Sequence, residues 1–193
     1  MITEKIWNIG MTSEEYVSQM NTFQKEMLRR INDLRITSAE FDRVRNIDQG
    51  RKLLVLTESW CKDSLMNLPI ILKIAEASEK IELRIFDRTK NEALTTFFKS
   101  EGLSNIPICW IMDEDFSKRG HWVERPKKAY RLIEEWKLDH PELRAIDNDS
   151  SLTAEEKTEK KQPILDKLLD EMWNWYDTEL QSETVKEIYK ILV

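Results

Sequence analysis

The chain has 193 residues, of which 40% are hydrophobic and 34% charged, with a formal net charge of −6. That is enough apolar material for a sizeable core, and the acidic balance argues against a nucleic-acid binder or a polybasic membrane binder. Two cysteines at unrelated spacing and two histidines make neither a disulfide framework nor a zinc site, so no metal or cofactor is expected.

The chain opens with Met1-Ile2-Thr3-Glu4-Lys5-Ile6-Trp7, which has no basic stretch followed by an apolar one. No apolar run reaches the length of a membrane span. The expectation is a cytoplasmic protein whose thiols stay reduced. Over residues 13–34, Tyr16, Met20, Phe23, Met27, Ile31 and Leu34 recur at three- and four-residue steps, which predicts one amphipathic helix. Thr12 and Glu15 have capping-box spacing, with Met11 and Tyr16 placed as a hydrophobic staple. Thr37 and Glu40, with Ile36 and Phe41, repeat the device and predict a short helix over 38–46, closed by Asp48-Gln49-Gly50. The run Leu53-Leu54-Val55-Leu56 predicts a strand over 52–57 buried on both faces.

A helix is predicted from Cys61 to about residue 78, carrying Leu65, Leu68, Ile71, Leu72 and Ala75. Pro69 interrupts it, and a proline in a helix interior costs ~3 kcal/mol and predicts a kink. Residues 81–87 alternate like a half-exposed edge strand, and the crossover between the two strands implies a right-handed βαβ unit with parallel pairing. A helix over 91–100 ends at Gly102, a C′ residue. After Asn105-Ile106-Pro107 comes a strand over 108–112, then the turn Asp113-Glu114-Asp115-Phe116-Ser117 and a strand over 120–124, an antiparallel hairpin. Pro126 opens a helix whose buried face is Tyr130, Leu132, Ile133 and Trp136. Residues 139–162 read as a polar linker with a short capped helix from Thr153. A final helical region covers 163–192, with the stripe Leu165, Leu169, Met172, Tyr176 and Leu180. Trp173 and Trp175 point roughly 200° apart on that helix, so one of them meets a second element or forms a contact surface. A partner or a second copy of the chain, through the terminal helices, is the occupant considered.

The chemistry concentrates at Glu58-Ser59-Trp60-Cys61-Lys62-Asp63-Ser64, where a strand ends and a helix begins. A thiol at a helix N-terminus meets unsatisfied N–H donors and the positive end of the helix dipole, which stabilise the nucleophilic thiolate. Lys62 adds charge of the same sign, and Trp60 supplies an apolar shoulder. The competing reading is a buried small hydrophobe. Cys109, within an apolar strand, is expected to be structural and too far from Cys61 for a disulfide. His121 reads as a surface or packing residue and His140 as exposed in the linker. The acidic turn 113–115 reads as solvated, since its spacing is not that of a calcium loop.

Strand, kinked helix, strand, helix, proline-initiated strand, hairpin strand and helix follow the order of elements in the thioredoxin fold. Trp60-Cys61-Lys62-Asp63-Ser64 resembles the thioredoxin signature of Trp, Cys, two variable residues and Cys. Pro69 falls where the family keeps its kink-forming proline, and Ile106-Pro107 resembles the segment whose proline is cis. The resemblance covers about residues 50–137, and the flanking helices look like the elaborations of a bacterial thioredoxin-like family. It implies a central mixed four-stranded sheet, two parallel strands plus an antiparallel hairpin, flanked by helices. The apolar stripes of the terminal helices must be covered, so the whole chain 1–193 is expected to be one domain, with helical extensions at 12–47 and 153–192. Two departures stand out. Ser64 replaces the resolving cysteine, and Val55 stands where the family often buries an acid. A Cys-x-x-Ser site cannot close an internal disulfide.

What the resemblance implies is monothiol thiol–disulfide exchange. Cys61 acts as nucleophile, Ser64 as its hydrogen-bond donor and Lys62 as its tuning charge. Trp60, Ile106 and Pro107 line the groove that receives protein or small-molecule thiols and disulfides. The alternative is a catalytically silent module of the same fold that binds partners beside Pro107. Enzyme chemistry of an unrelated kind has no Gly-rich phosphate loop, carboxylate–histidine set or metal cluster to rest on.

Overall fold

Branched and aromatic residues favour a pleated, half-buried surface, and four such segments pair into one mixed sheet. They are β1 (Arg51–Thr57), β2 (Ile81–Asp87), β3 (Ile108–Asp113) and β4 (Lys118–Val123), in the spatial order β2-β1-β3-β4. β1 and β2 are parallel, with Val55 opposite Ile85, while β1 and β3 are antiparallel, with Val55 opposite Cys109. β3 and β4 form the expected hairpin, Cys109 opposite Trp122. The computed structural model describes residues 2–193, and for Ser38 its backbone only. These residues divide into two compact units. One runs through Arg125 and resumes at Gln181–Val193; the other is Pro126–Leu180.

In the first unit the sheet separates two apolar layers. Leu54, Leu56, Phe86, Ile108, Trp110 and Met112 point to one side, where they join Trp7 of α1 (Glu4–Trp7) and Leu94 and Phe98 of α6 (Glu92–Ser100). On the other side α5 (Lys62–Glu76) packs against α10 (Gln181–Leu192), and α10 also packs on β4. Gly120 makes that approach possible: a Cβ there would sit 2.7 Å from Ile191 Cγ2. The last turns of α10 are pinned to the sheet by Arg51 Nε donating to the Leu192 carbonyl at 2.7 Å and by Trp122 Nε1 donating to Glu187 at 2.9 Å. α5 continues through Pro69 as one helix.

The helix expected over 13–34 is two helices, α2 (Ser13–Gln19) and α3 (Gln24–Asn32). Met20 leaves the helical region at ψ 126, and Phe23 takes a left-handed φ of 59°. Gln24 Nε2 then satisfies the freed carbonyls of Val17 and Ser18, at 2.8 and 3.1 Å. The apolar spacing survives the break, since Tyr16, Met20 and Met27 are all buried. Both capping boxes form: the Thr12 amide donates to Glu15 at 2.8 Å, and the Thr37 amide to Glu40 at 3.0 Å, the latter opening α4 (Ser38–Arg45).

The second unit holds α7 (Lys127–Leu138), α8 (Glu142–Asn148) and α9 (Ala154–Trp175), ending in a π-helical turn, Tyr176–Leu180. The polar linker expected over 139–162 is instead largely helical. α9 starts at the Thr153–Glu156 box and runs unbroken through Pro163. Its first three turns are solvated, so the polar composition that suggested a linker belongs to an exposed helix face.

Candidate active site

β1 ends at Thr57 and α5 begins at Lys62, and Cys61 is the N-cap between them. Its Sγ accepts the Ser64 amide at 3.4 Å, so the sulfur occupies the place a serine or aspartate oxygen takes at other helix starts. Register brings the second wall into place. Leu56 lies opposite Ile108, which sets the start of β3 beside the end of β1. The Cys61 thiol accordingly donates to the Ile106 carbonyl at 3.5 Å, and the Ile106–Pro107 bond is cis. Of the residues read from sequence, Cys61, Ser64, Ile106 and Pro107 thus converge. Trp60 stands at the rim, 57% exposed, and Lys62 is exposed beside it.

The electrostatics run against the expectation of an activated thiol. Cys61 is only 8% exposed, and burial raises its pKa above the ordinary thiol value. The Ser64 hydroxyl and amide lower it, while the negative charge of Asp63 raises it. The helix start therefore does supply donors to the sulfur. Loss of water outweighs them, and the charged neighbour that weighs on the thiol is acidic. Ser64 is itself fixed from below, because the buried Thr57 hydroxyl donates to Ser64 Oγ at 2.7 Å.

Several participants were not visible as site residues in the sequence. Asp63 pairs with Arg125 at 2.6 Å, Arg125 with Glu124 at 2.8 Å, and Glu124 accepts from Asn105 Nδ2 at 2.8 Å. Glu124 has a left-handed φ of 64°, and its amide donates to the Pro107 carbonyl at 2.8 Å. Asn67 Nδ2 bridges the carbonyls of Asp63 and Glu124, and Asn67 Oδ1 accepts from Thr184 of α10 at 3.0 Å. The first turn of α5 and the Asn105–Pro107 segment are thereby held through one polar cluster. Burial raises the Asp63 pKa against the opposing effect of Arg125, and Glu124 raises it further. The only sequence signal for this cluster was an acid inside the Cys-x-x-Ser motif.

The remaining candidates are structural. Cys109 is fully buried in β3 opposite Val55, and both cysteines are free. His121 stacks on Trp110 with centroids 6.0 Å apart. His140 is half-buried rather than exposed: it stacks on Trp136, and its Nδ1 lies 2.8 Å from the Trp136 carbonyl, closing α7. Asp113 pairs with Arg51 and Arg119, each at 3.2 Å. Among the described residues no three His, Cys, Asp or Glu side chains converge as metal ligands, and no helix is long and apolar enough to cross a membrane.

Comparison with known proteins bears on the fold and the family. No curated protein matches the chain. Among solved structures it resembles a protein of unknown function from Pseudomonas aeruginosa, with 21% identity and a TM-score of 0.67, covering 100% of this chain and 98% of that one. An HIV epitope scaffold is similar at 20% identity and a TM-score of 0.65, again covering 100% and 98%. At these identities the likeness is one of fold. A family model described as thioredoxin matches residues 10–137, which contain the whole sheet, Cys61 and Pro107. The chain belongs to the thioredoxin family.

Proposed function

We propose that the protein carries out thiol–disulfide exchange with Cys61 as its single reactive thiol. The observation that carries this reading is the sulfur at the N-cap of α5, hydrogen-bonded to Ser64 and facing Ile106 beside Pro107. The Cys61 thiolate attacks one sulfur of a disulfide R–S–S–R′, forms Cys61–S–S–R and releases R′S⁻. A second thiolate attacks the mixed disulfide, forms its own disulfide with R and returns the electron pair to Cys61. Ser64 cannot perform that second step, but its hydroxyl stabilises the departing Cys61 thiolate. Lys62 adds positive charge at the mouth, and Trp60, Ile106 and Pro107 receive the extended backbone of a protein disulfide.

One observation favours a second reading, a silent module that binds partners in the same groove: burial raises the Cys61 pKa. Under the exchange reading a docking peptide competes for the Ile106 carbonyl and frees the sulfur, so reactivity depends on the substrate. The test is mixed-disulfide formation at Cys61, followed by mass spectrometry. An extended peptide disulfide should react at least tenfold faster than a compact disulfide with the same leaving thiol. If neither modifies Cys61 in the folded protein, the silent module stands.

A further inference from the structure

On the Trp60 side of the thiol lies a polar pocket of about 230 Å³, whose lining includes Tyr16, Glu58, Trp60, Asp87 and Lys90. Both acids are buried. Glu58 takes the Thr89 amide on Oε1 at 2.6 Å, together with the Thr89 hydroxyl, and among the described residues no donor reaches its other oxygen. Asp87 is balanced by the exposed Lys90 at 2.6 Å, which leaves one net negative charge among the three.

Tyr16 is the second, independent observation. It is 2% exposed, and its hydroxyl makes no hydrogen bond of acceptable geometry. Among the described residues the Thr57 hydroxyl is its one polar neighbour, and that hydroxyl gives its own proton to Ser64. A buried hydroxyl left in this state is unfavourable, and such a group calls for an explanation. Its surroundings identify the missing partner. The negative charges of Asp87 and Glu58 bear on this hydroxyl, and the neighbouring Thr57 is linked through Ser64 to the reacting sulfur.

An ammonium group offers three donors and no acceptor. Glu58, Asp87 and the Tyr16 oxygen present acceptors to match. Two carboxylates without a third ligand suit an organic monocation rather than a divalent metal. The pocket is below the usual range for drug-sized ligands, so its occupant is small.

We infer that this pocket holds the ammonium group of a small aminothiol, whose sulfur resolves the mixed disulfide on Cys61. The inference rests on the exchange reading and supplies the thiol that Ser64 cannot. In the step, the aminothiolate attacks the substrate sulfur, a new aminothiol–substrate disulfide forms, and the electron pair of the broken bond leaves on Cys61.

The test loads Cys61 with a methylthio group from methyl methanethiosulfonate and follows its release by mass spectrometry. Cysteamine, 2-mercaptoethanol and 3-mercaptopropionate are compared per thiolate, each relative to its rate on a free cysteine peptide carrying the same group. Cysteamine should be favoured about tenfold over 2-mercaptoethanol, with 3-mercaptopropionate slowest. Glu58→Gln should reduce that preference to within twofold, and the surface change Lys90→Ala, which unmasks Asp87, should enlarge it. Equal relative rates for the three thiols overturn the subsite and leave the exchange reading intact. Failure of every thiol to release the group removes both.

Discussion

At Cys109 burial is complete and the thiol is pushed up to about 12. The unfolded thiol loses its proton near pH 8.5, so above that pH the native state holds a proton the unfolded state has lost. This contribution is whole below about pH 8.5, falls by ~1.4 kcal/mol per pH unit above it, and is gone by about pH 12. Cys109→Ala should flatten the alkaline slope of urea midpoints measured between pH 8 and 10.5, at ~1 kcal/mol of lost burial. Ser64 is the other residue whose removal is informative. Ser64→Ala strands the Thr57 hydroxyl, which is 0% exposed, at ~1–3 kcal/mol, and takes a stabilising hydrogen bond from the Cys61 thiolate. The variant should therefore unfold at lower urea and alkylate at Cys61 more slowly at pH 8. Faster alkylation would remove Ser64 from its role at the sulfur.

Among the elements, α5 shows how much of the site could be read in advance. Its start at a cysteine follows from local spacing, as do the capping boxes of α2 and α4, while the place of Pro107 beside that cysteine was legible only through the family resemblance. The cluster of Asp63, Arg125, Glu124 and Asn67 does not, because its members lie as far apart as positions 63 and 125 and meet only once the hairpin has formed. The break between α2 and α3 escaped for a different reason. Apolar periodicity reports which residues are buried, and Tyr16, Met20 and Met27 stay buried although the chain leaves the helix at Met20 and re-enters it after Phe23 at positive φ. Arg125→Ala tests the cluster: it leaves Asp63 largely buried without its cation, at ~3–5 kcal/mol. Asp63 already has a raised pKa, and losing Arg125 raises it further. Its favourable contribution is then present in acid and lost as pH rises through the folded value. The gap in urea midpoint between wild type and variant should accordingly be wider at pH 7.5 than at pH 4.

For the whole molecule, the first unit is built from segments on both sides of the second. α10 contributes Thr184, Val185, Ile188 and Leu192 to the buried interior. We propose that the chain nonetheless unfolds as one domain, in a single calorimetric transition whose van't Hoff and calorimetric enthalpies agree; two resolved transitions would divide it. A chain stopped at Leu180 should lose cooperative unfolding altogether, since Arg51, Trp122 and Asn67 lose their α10 partners together. The same placement governs events on the ribosome. Arg51 meets the Leu192 carbonyl across 141 residues, so the β4 surface beneath α10 stays uncovered while everything between is being translated. At ordinary synthesis speeds the wait from the end of β4 to the end of α10 is roughly 3 to 14 s. Throughout that interval the nascent sheet carries an open apolar face, and holdase chaperones have a defined window in which to bind it.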